Sequence, residues 1–496
     1  VKKGVVWYKK DLRVLDHDAL SRASQDCDEL IAVYIYEPEW LNSFEFDQSH
    51  LDFLNQSLDC LEISLRPFNI KLHRYFGSVI GILSEIKSKF DFHSIYAHEE
   101  TGLDWTFMRD KAVAGWCRES SISFHEEKQF GVIRKLKNRD DWIEKRNHII
   151  NKPLAPSPRT QSRMISLEDH GKFQGYQKSS KVINLIGGEV QGKVILQSFL
   201  KERSRQYLEH ISSPWFSVES SSRLSPYISY GNLSLRYIFQ ELAKKKKSLE
   251  SQPYWLKSLE AFESRLWWHC HFIQKLETEP EIEFHQTNRA FDGMRESEFN
   301  EELFEAWKKG ETGIPMIDAS MRCLLKHSWL NFRMRAMLIS FSSYQLWLHW
   351  KKPADFLAKN FLDFEPGIHF PQIQMQSGVT GINTIRIYSP TKQALDQKGG
   401  AEFIKHFCPE LRELPDEFVH DPGSMPGLLA MTYNFKLGVD YPHPVIDERK
   451  AYHTAKERIF HWRQKETVKG ESRSVLAKHA SRAHRKFPRI DRKKIF

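Results

Sequence analysis

Five short runs of β-branched and aromatic residues punctuate the first 130 residues: Gly4–Tyr8, Leu30–Tyr36, Lys71–Phe76, Ser94–His98 and Ile122–His125. Amphipathic stretches lie between them, as in Ser49–Ser64, where Leu51, Leu54, Leu58 and Leu61 recur at helical spacing. Strand-like runs alternating with helical spacing predict strand–helix repeats. Repeats of this length predict a doubly wound parallel α/β sheet. From about Gly131 to Gly188 both periods fade. Pro153, Pro156 and Pro158 follow closely there and polar residues dominate Ser157–Ser180, which reads as an inter-domain connection wrapped on the surface. From Val194 onward helical spacing takes over, in Leu259–Lys275, Ile317–Lys326 and Phe332–Trp350. The expected organisation is an α/β domain over 1–130, a connector over 131–195, a larger all-helical domain over 196–455 and a basic C-terminal extension over 456–496. No segment repeats at the 20–50-residue spacing of a solenoid.

Composition sharpens this picture. A chain of 496 residues exceeds one ordinary domain, and 40% apolar with 13% aromatic residues suffices for large cores. No uninterrupted apolar window of about 18 residues is present, so no membrane span is expected. The opening Val1–Lys10 has no leader-like apolar region and reads as a strand from the outset. Six cysteines stand without a CxxC pair, which suits a reducing compartment, the cytoplasm or in a eukaryotic source the nucleus. It argues against zinc ribbons, disulfide scaffolds and iron–sulfur clusters. The net charge of +9 is unevenly placed: nine Lys/Arg against Glu471 and Asp491 lie in Gly470–Phe496, leaving the body close to neutral. Such an end suits phosphates by counterion release, or a solvated terminus.

Candidate chemistry sits mostly in the second half. The first strand is followed by Lys9-Lys10-Asp11-Leu12-Arg13 and not by GxGxxG, so the sheet half need not hold a dinucleotide. In Ser220–Pro226, Ser225 before Pro226 reads as a capped helix start; with its extra hydroxyls and Arg223 it is either a phosphate seat or a plain cap. In Glu263–Phe272, Arg265, Trp268 and Phe272 share one helix face with His269 beside them. That pattern suits stacking on bases or a flavin, and equally an aromatic core helix. His269 and His271, two apart, diverge on a helix and make no metal pair, and no metal is expected. Arg333 and Arg335 lie inside an apolar run and require carboxylate partners, for which Asp363 and Glu365 are the candidates. Gln372–Asn383 reads as a loop lining a pocket with amides. GxSxG, HExxH, Walker A and EF-hand patterns do not occur, so hydrolase, metalloprotease and NTPase readings lack support.

In order, these stretches resemble the DNA photolyase/cryptochrome family from the N-terminus to about Glu448. The matching pieces are Val6–Arg13, Ser222–Tyr227 with Tyr230-Gly231, Trp307 with Gly310–Arg322, and Trp329 with Arg333 and Arg335. Arg386–Pro390, Phe403-Ile404, Pro409–Leu411 and Asp440–Pro444 complete the match. The resemblance implies an α/β domain plus a helical domain holding a folded FAD. It assigns Tyr207 and Ser221, Ser222, Arg223, Leu224 and Ser225 to the FAD phosphates and ribityl chain. Arg335 paired with Asp363 falls beside the isoalloxazine, with Phe364 and Glu365 in the same motif. Arg265, Trp268, His269 and Phe272, then Phe332, Arg333 and Met375, fall on the face that meets DNA or its lesion. A second, antenna chromophore of folate or deazaflavin type is implied without assigned residues.

The resemblance further implies a monomeric enzyme on ultraviolet-damaged DNA, splitting cyclobutane pyrimidine dimers by light. A cryptochrome-like photoreceptor and a flavin-binding module without photochemistry are the alternatives. Four departures stand out. Trp350 matches one member of the family's electron-transfer tryptophans, but no tryptophan follows until Trp462 and Ser297 replaces the outermost. Tyr344, Trp347 and Trp329 are substitutes for that route. Met375 or Ile373 replaces the lesion-side tryptophan. The asparagine near flavin N5 aligns with Gly367–His369, and Ala336 stands where (6-4) repair enzymes place a histidine, which disfavours (6-4) repair.

Overall fold

The computed structural model describes residues 1–480 except 176 and 178. All five predicted strands form: β1 (Lys3–Tyr8), β2 (Glu29–Tyr36), β3 (Leu72–Phe76), β4 (Ser94–His98) and β5 (Ser123–Glu127). They make one parallel sheet in the order β3-β2-β1-β4-β5. Side-chain alternation divides each strand between two cores. Val6 and Tyr8 of β1 join Leu30, Ala32 and Tyr36 of β2 on one face, under helices α1 (Asp18–Asp26) and α2 (Gln48–Leu65). Val5 and Trp7 join Ile31, Val33 and Ile35 on the other, under α3 (Val79–Phe90) and α4 (Asp104–Glu119). A sheet covered on both faces needs strands that are apolar nearly throughout, which is what the run Leu30–Tyr36 supplies. The order reverses between β1 and β4, and there the strand ends open a crevice. It is a cleft of about 90 Å³ lined by Trp7, Lys9, Tyr34, Glu37, Trp105 and Arg109 among others.

The connector holds one helix, α5 (Trp142–Ile150), then runs extended along the sheet half. Its Arg159 amide donates to Ser24 Oγ, its Leu167 amide to His73 Nε2 and its His170 amide to the Arg74 carbonyl. The helical half follows, beginning with α6 (Glu189–Lys201). The helices that build the site are α7 (Ser225–Ser229), α8 (Leu235–Lys247), α9 (Pro253–Thr278), α10 (Pro315–His327), α11 (Phe332–Ser340), α12 (Lys351–Asn360) and α13 (Pro366–Ser377). Two C-terminal helices, α14 (Glu448–Gln464) and α15 (Glu466–His479), dock on this half through buried Ile459, Val468 and Val475. Residues 456–479 of the expected extension are therefore packed helix, and residues 481–496 lie outside the described residues. No helix among the described residues is long and apolar enough to cross a membrane.

The halves are joined where two matching motifs meet. The Leu12 amide donates to the Tyr230 carbonyl at 3.2 Å and Arg13 Nη1 to the Gly231 carbonyl at 3.0 Å. Gly231 has φ 67°, and a Cβ there would stand 2.1 Å from the Lys10 carbonyl oxygen. Only glycine accommodates both the left-handed backbone and this approach.

Three predicted elements come out differently. Phe332–Trp350 is not one helix: α11 gives way to a π turn over Phe341–Gln345, and Trp347 sits at φ 54°. The supposed loop Gln372–Asn383 starts inside α13, which opens with Pro366 in its first turn and closes on Gly378 at φ 77°. Glutamine is a good helix former, so its alternation there was no loop signal. Ser225 begins a helix but does not cap it; its hydroxyl is turned toward Asp363 instead.

Candidate functional site

A cavity of about 330 Å³ lies within the helical half, inside the size range of small-molecule and cofactor sites. It is walled mainly by α9, residues 221–223 and 225, residues 329–331 running into α11, and the loop Phe361–Glu365 running into α13, with Tyr207, Ile211 and Leu357 completing the lining. On α13 the lining residues are Ile368, His369, Gln372, Ile373 and Gln376, the spacing of one helix face. The three glutamines accordingly split. Gln372 and Gln376 face the cavity, whereas Gln374 is fully buried and structural, accepting from the Thr287 amide and hydroxyl and donating to the Ile282 and His285 carbonyls.

Arg335 is the fixed charge of this wall. Its guanidinium forks onto Asp363 at 3.0 and 2.9 Å, donates from Nε to the Leu330 carbonyl, and lies 4.0 Å from the Phe361 ring centre. Burial alone would raise the Asp363 carboxyl, but the guanidinium beside it holds it below the ordinary carboxylate range. Arg333 has no such partner among the described residues. Nη2 donates to Ser212 Oγ and the guanidinium points over Tyr388, so of the two arginines expected to need carboxylates, one faces outward.

Several polar atoms on the wall are buried with no hydrogen-bond partner among the described residues. They are Ser221 Oγ, Arg223 Nε, both nitrogens of His269, Glu365 Oε1 and Gln372 Oε1. Buried polar groups are rarely left so. Arg223 is held at φ 58° with its guanidinium 4.0 Å from the Trp329 ring centre, and burial pushes its pKa down to about 10. A hydroxyl and a guanidinium that lack acceptors, two residues apart in the chain, fit a phosphate-bearing ligand. Unpaired donors and acceptors at Gln372, His269 and Glu365 fit a ring with polar edges. Tyr207, pushed up to about 12 by burial, and Ser222 line the same cavity.

Some expected site residues fall elsewhere. Leu224 is buried in the core beside α6, not in the cavity, because it alternates with lining Arg223 and Ser225. Met375 is absent from the lining and Ile373 takes its place, since two residues along a helix turn through about 200°. His269 is not on an outer face: it is buried against Phe130, and burial pushes its pKa down to about 3. Trp350, expected on the electron-transfer route and not at the flavin itself, is fully buried with Phe370 and Phe364 between it and the cavity in edge contacts of 6.4 and 6.3 Å. Phe361 lines the cavity without having been singled out, and Ala336 and Trp329, flagged only by the resemblance, line it too; the contact of Arg223 with Trp329 is invisible in sequence.

The cavity opens outward between Arg265, Trp268 and Phe332, which also line a broad surface groove of about 1720 Å³. Trp268 and Phe332 are 40% and 47% exposed, unusual for such side chains, and Arg265 stacks 4.1 Å from the Trp268 ring centre. Phe272 lies deeper on the same helix face. Arg333, Arg386, Lys392 and Arg449 extend the groove.

Elsewhere, Asp11, His17 and His98 cluster closely enough to suggest a metal. However, His17 Nδ1 accepts from the Leu20 amide at 2.9 Å, so its Nε2 carries the proton and faces the Asp11 carboxylate. A protonated nitrogen is no metal ligand, and the group is a carboxylate bridging two imidazoles.

Comparison with known proteins agrees with this geometry. Residues 4–133 match the family model for DNA photolyase, and residues 262–461 match that for the FAD binding domain of DNA photolyase. A deoxyribodipyrimidine photo-lyase of Alkalihalophilus pseudofirmus is 25% identical over 477 residues, covering 90% of this chain and 95% of the relative. A cryptochrome DASH of Gloeobacter violaceus is 26% identical over 477 residues, covering 90% and 93%. The crystal structure of a bacterial class III photolyase from Agrobacterium tumefaciens superposes with a TM-score of 0.82 at 21% identity, covering 94% of this chain and 98% of that one.

Proposed function

Because the chain belongs to the DNA photolyase/cryptochrome family of FAD-binding proteins, we propose that it is a light-driven deoxyribodipyrimidine photo-lyase acting on cyclobutane pyrimidine dimers in ultraviolet-damaged DNA. One observation carries this reading: the cavity fitted for FAD opens directly between exposed Trp268 and Phe332, each with an arginine beside it. A mouth of bare aromatic faces and cations suits bases swung out of a duplex, and a damaged pair unstacks at low cost. Bound FAD supplies the light-driven electron chemistry.

The chain's own residues do the positioning. Arg335 and Asp363 hold the ring end by a preformed ion pair, while Ser221, Ser222 and Arg223 meet the phosphates. Arg265 and Arg333 take backbone phosphates of the DNA, and Trp268 and Phe332 cover the faces of the extruded bases. Ala336 offers only a methyl group, which leaves a (6-4) product without an imidazole at that wall. A folate- or deazaflavin-type chromophore would occupy the cleft between β1 and β4. One chain carries every group named, so a monomer suffices.

The test is direct: reduced holoprotein is mixed with an oligonucleotide bearing a defined cyclobutane dimer and illuminated with blue light. Dimer loss that depends on light supports the reading; an intact dimer beside a light-driven change in flavin absorption supports a photoreceptor. The surroundings of the tryptophans weigh against that second reading, which needs an electron donor to the flavin within the chain. Ile373 stands at the cavity wall, Trp350 is screened from it, and guanidiniums lie 4.0 Å from Trp329 and 3.9 Å from Trp347. A cation over an indole ring disfavours positive charge on it, so neither ring is a good substitute electron donor.

A further inference from the structure

We propose that Glu365 passes protons between the cofactor cavity and a small polar chamber at the junction of the two halves. The proposal rests on reading that cavity as the FAD site. Glu365, 6% exposed, lines both spaces, and its carboxyl feels the charges of the chamber residues Lys10 and Glu100. The chamber measures about 10 Å³ and is lined by Lys10, Asp11, His98, Glu100 and Ser229 among others. That is close to the room one water needs.

Two unpaired atoms belong to residues lining the chamber. Glu365 Oε1 has no partner among the described residues, and neither has His98 Nε2. His98 Nδ1 lies 2.7 Å from the Asp11 carboxylate and donates its N–H to it, so in the neutral ring Nε2 presents a lone pair. A protonated Glu365 and this lone pair are complementary and can be bridged by one water. Burial pushes His98 down to about 3, so it orients that water without holding its proton. Lys10, an exposed residue, lies at the chamber's edge and connects it with solvent.

Glu365 is suited to both states. Burial pushes it up to about 7, against the lowering influence of Lys10 and the Gly367 amide and with the raising influence of Glu100. On the cavity side stand the Arg335–Asp363 pair, whose charges offset one another, and His369, which burial pushes down to about 3. In the transfer the Glu365 O–H bond breaks toward an acceptor in the cavity, leaving a carboxylate. A proton arriving through the chamber water restores the acid, so nothing is oxidised or reduced on the protein.

The test is an infrared pH titration of the holoprotein, with bound flavin read from visible absorption of the same sample. One protonated-carboxyl band, distinct from that of Glu45 (also pushed up to about 7 by burial) because it is kept in Glu45→Gln, should disappear as pH rises through about 7, shift promptly in heavy water, and be missing from Glu365→Gln. Lys10→Met should move the midpoint up and Glu100→Gln should move it down. The flavin absorption should follow the same midpoint in the wild type and lose that dependence in Glu365→Gln. The proposal is overturned if the band survives in Glu365→Gln, resists heavy water, or ignores both chamber substitutions while flavin stays bound. Should Glu365→Gln lose its flavin, the wild-type exchange and the two chamber variants decide. A wild-type protein without flavin overturns the cavity reading itself.

Discussion

The cleft in the sheet half and the cavity in the helical half are both polar hollows near the domain junction, yet they treat charge in opposite ways. In the cleft the charges satisfy one another: Lys9 pairs with Asp110, and Arg109 reaches Glu37, Glu100 and Asp110. Glu45 Oε2 and Trp105 Nε1 are the unpaired exceptions. In the cavity the Arg335–Asp363 pair is satisfied, but Ser221, Arg223, His269, Gln372 and Glu365 each keep an unpaired atom. A closed ion-pair network holds its own shape. A wall of unpaired groups is costly until a ligand pairs them, so it is the helical half whose polar atoms require a cofactor.

Four substitutions break or sharpen that contrast. Arg335→Ala should have the largest effect, leaving Asp363 buried without its partner at a cost of about 3–5 kcal/mol; flavin per mole of protein and the thermal midpoint should both fall. The sign with pH follows. The wild-type pair has a depressed carboxyl, so its contribution is present above the ordinary carboxylate value and is lost as pH falls through the folded one. Without the guanidinium, burial lifts Asp363 and the sign reverses: the variant should be weakest where the carboxyl is ionised and recover as pH falls, which an acid titration followed by flavin fluorescence would detect. Arg223→Gln should weaken FAD binding by about 10- to 100-fold, through loss of a charge-assisted bond of about 1.5–3 kcal/mol; unchanged flavin affinity would mean the phosphates lie elsewhere.

Trp268→Ala tests the mouth. Loss of base stacking worth about 1–3 kcal/mol should weaken binding of a dimer-bearing oligonucleotide in a gel-shift titration. The smallest effect is expected in the cleft, at Glu45→Gln. Burial pushes Glu45 up to about 7, so the protonated form stabilises the fold below the ordinary glutamate value and that contribution is lost as pH rises through 7. The amide mimics the protonated acid. The variant should be close to the wild type at pH 5 and more stable than it at pH 8 in urea unfolding, with flavin content unaltered. Flavin loss in that variant would show that the two hollows are not independent.

Legibility differed between scaffold and site. The central strands were readable because runs such as Leu30–Tyr36 are buried on both faces and must be apolar throughout; the edge strand β5, Ser123–Glu127, is half-buried or exposed at every position and was read from its β-branched and aromatic start alone. Helix α2 was readable because leucines at 51, 54, 58 and 61 all meet the core. Arg335 could be flagged as needing a carboxylate from its apolar setting alone, while the choice of Asp363 over Glu365 came only from the family resemblance. The cavity face of α13 was missed because period-two glutamines mask a helix whose lining residues follow its own period. Leu224 and Met375 were misplaced for the same reason: a motif gives a segment's neighbourhood, whereas the backbone decides which alternate side chain turns inward.

The amino-acid sequence by itself determined the two-part architecture, the strand and helix periods, and the residue types able to bind phosphate, ring and bases. These are local consequences of spacing and hydrophobicity, legible without knowing what packs where. Tertiary structure alone decided which donors remain unpaired, that Arg223 meets Trp329, that Glu365 lines two hollows, and that Trp268 and Phe332 frame the cavity mouth. Those features arise from contacts between residues far apart in the chain. Their energies depend on burial and direction, which only the closed fold sets.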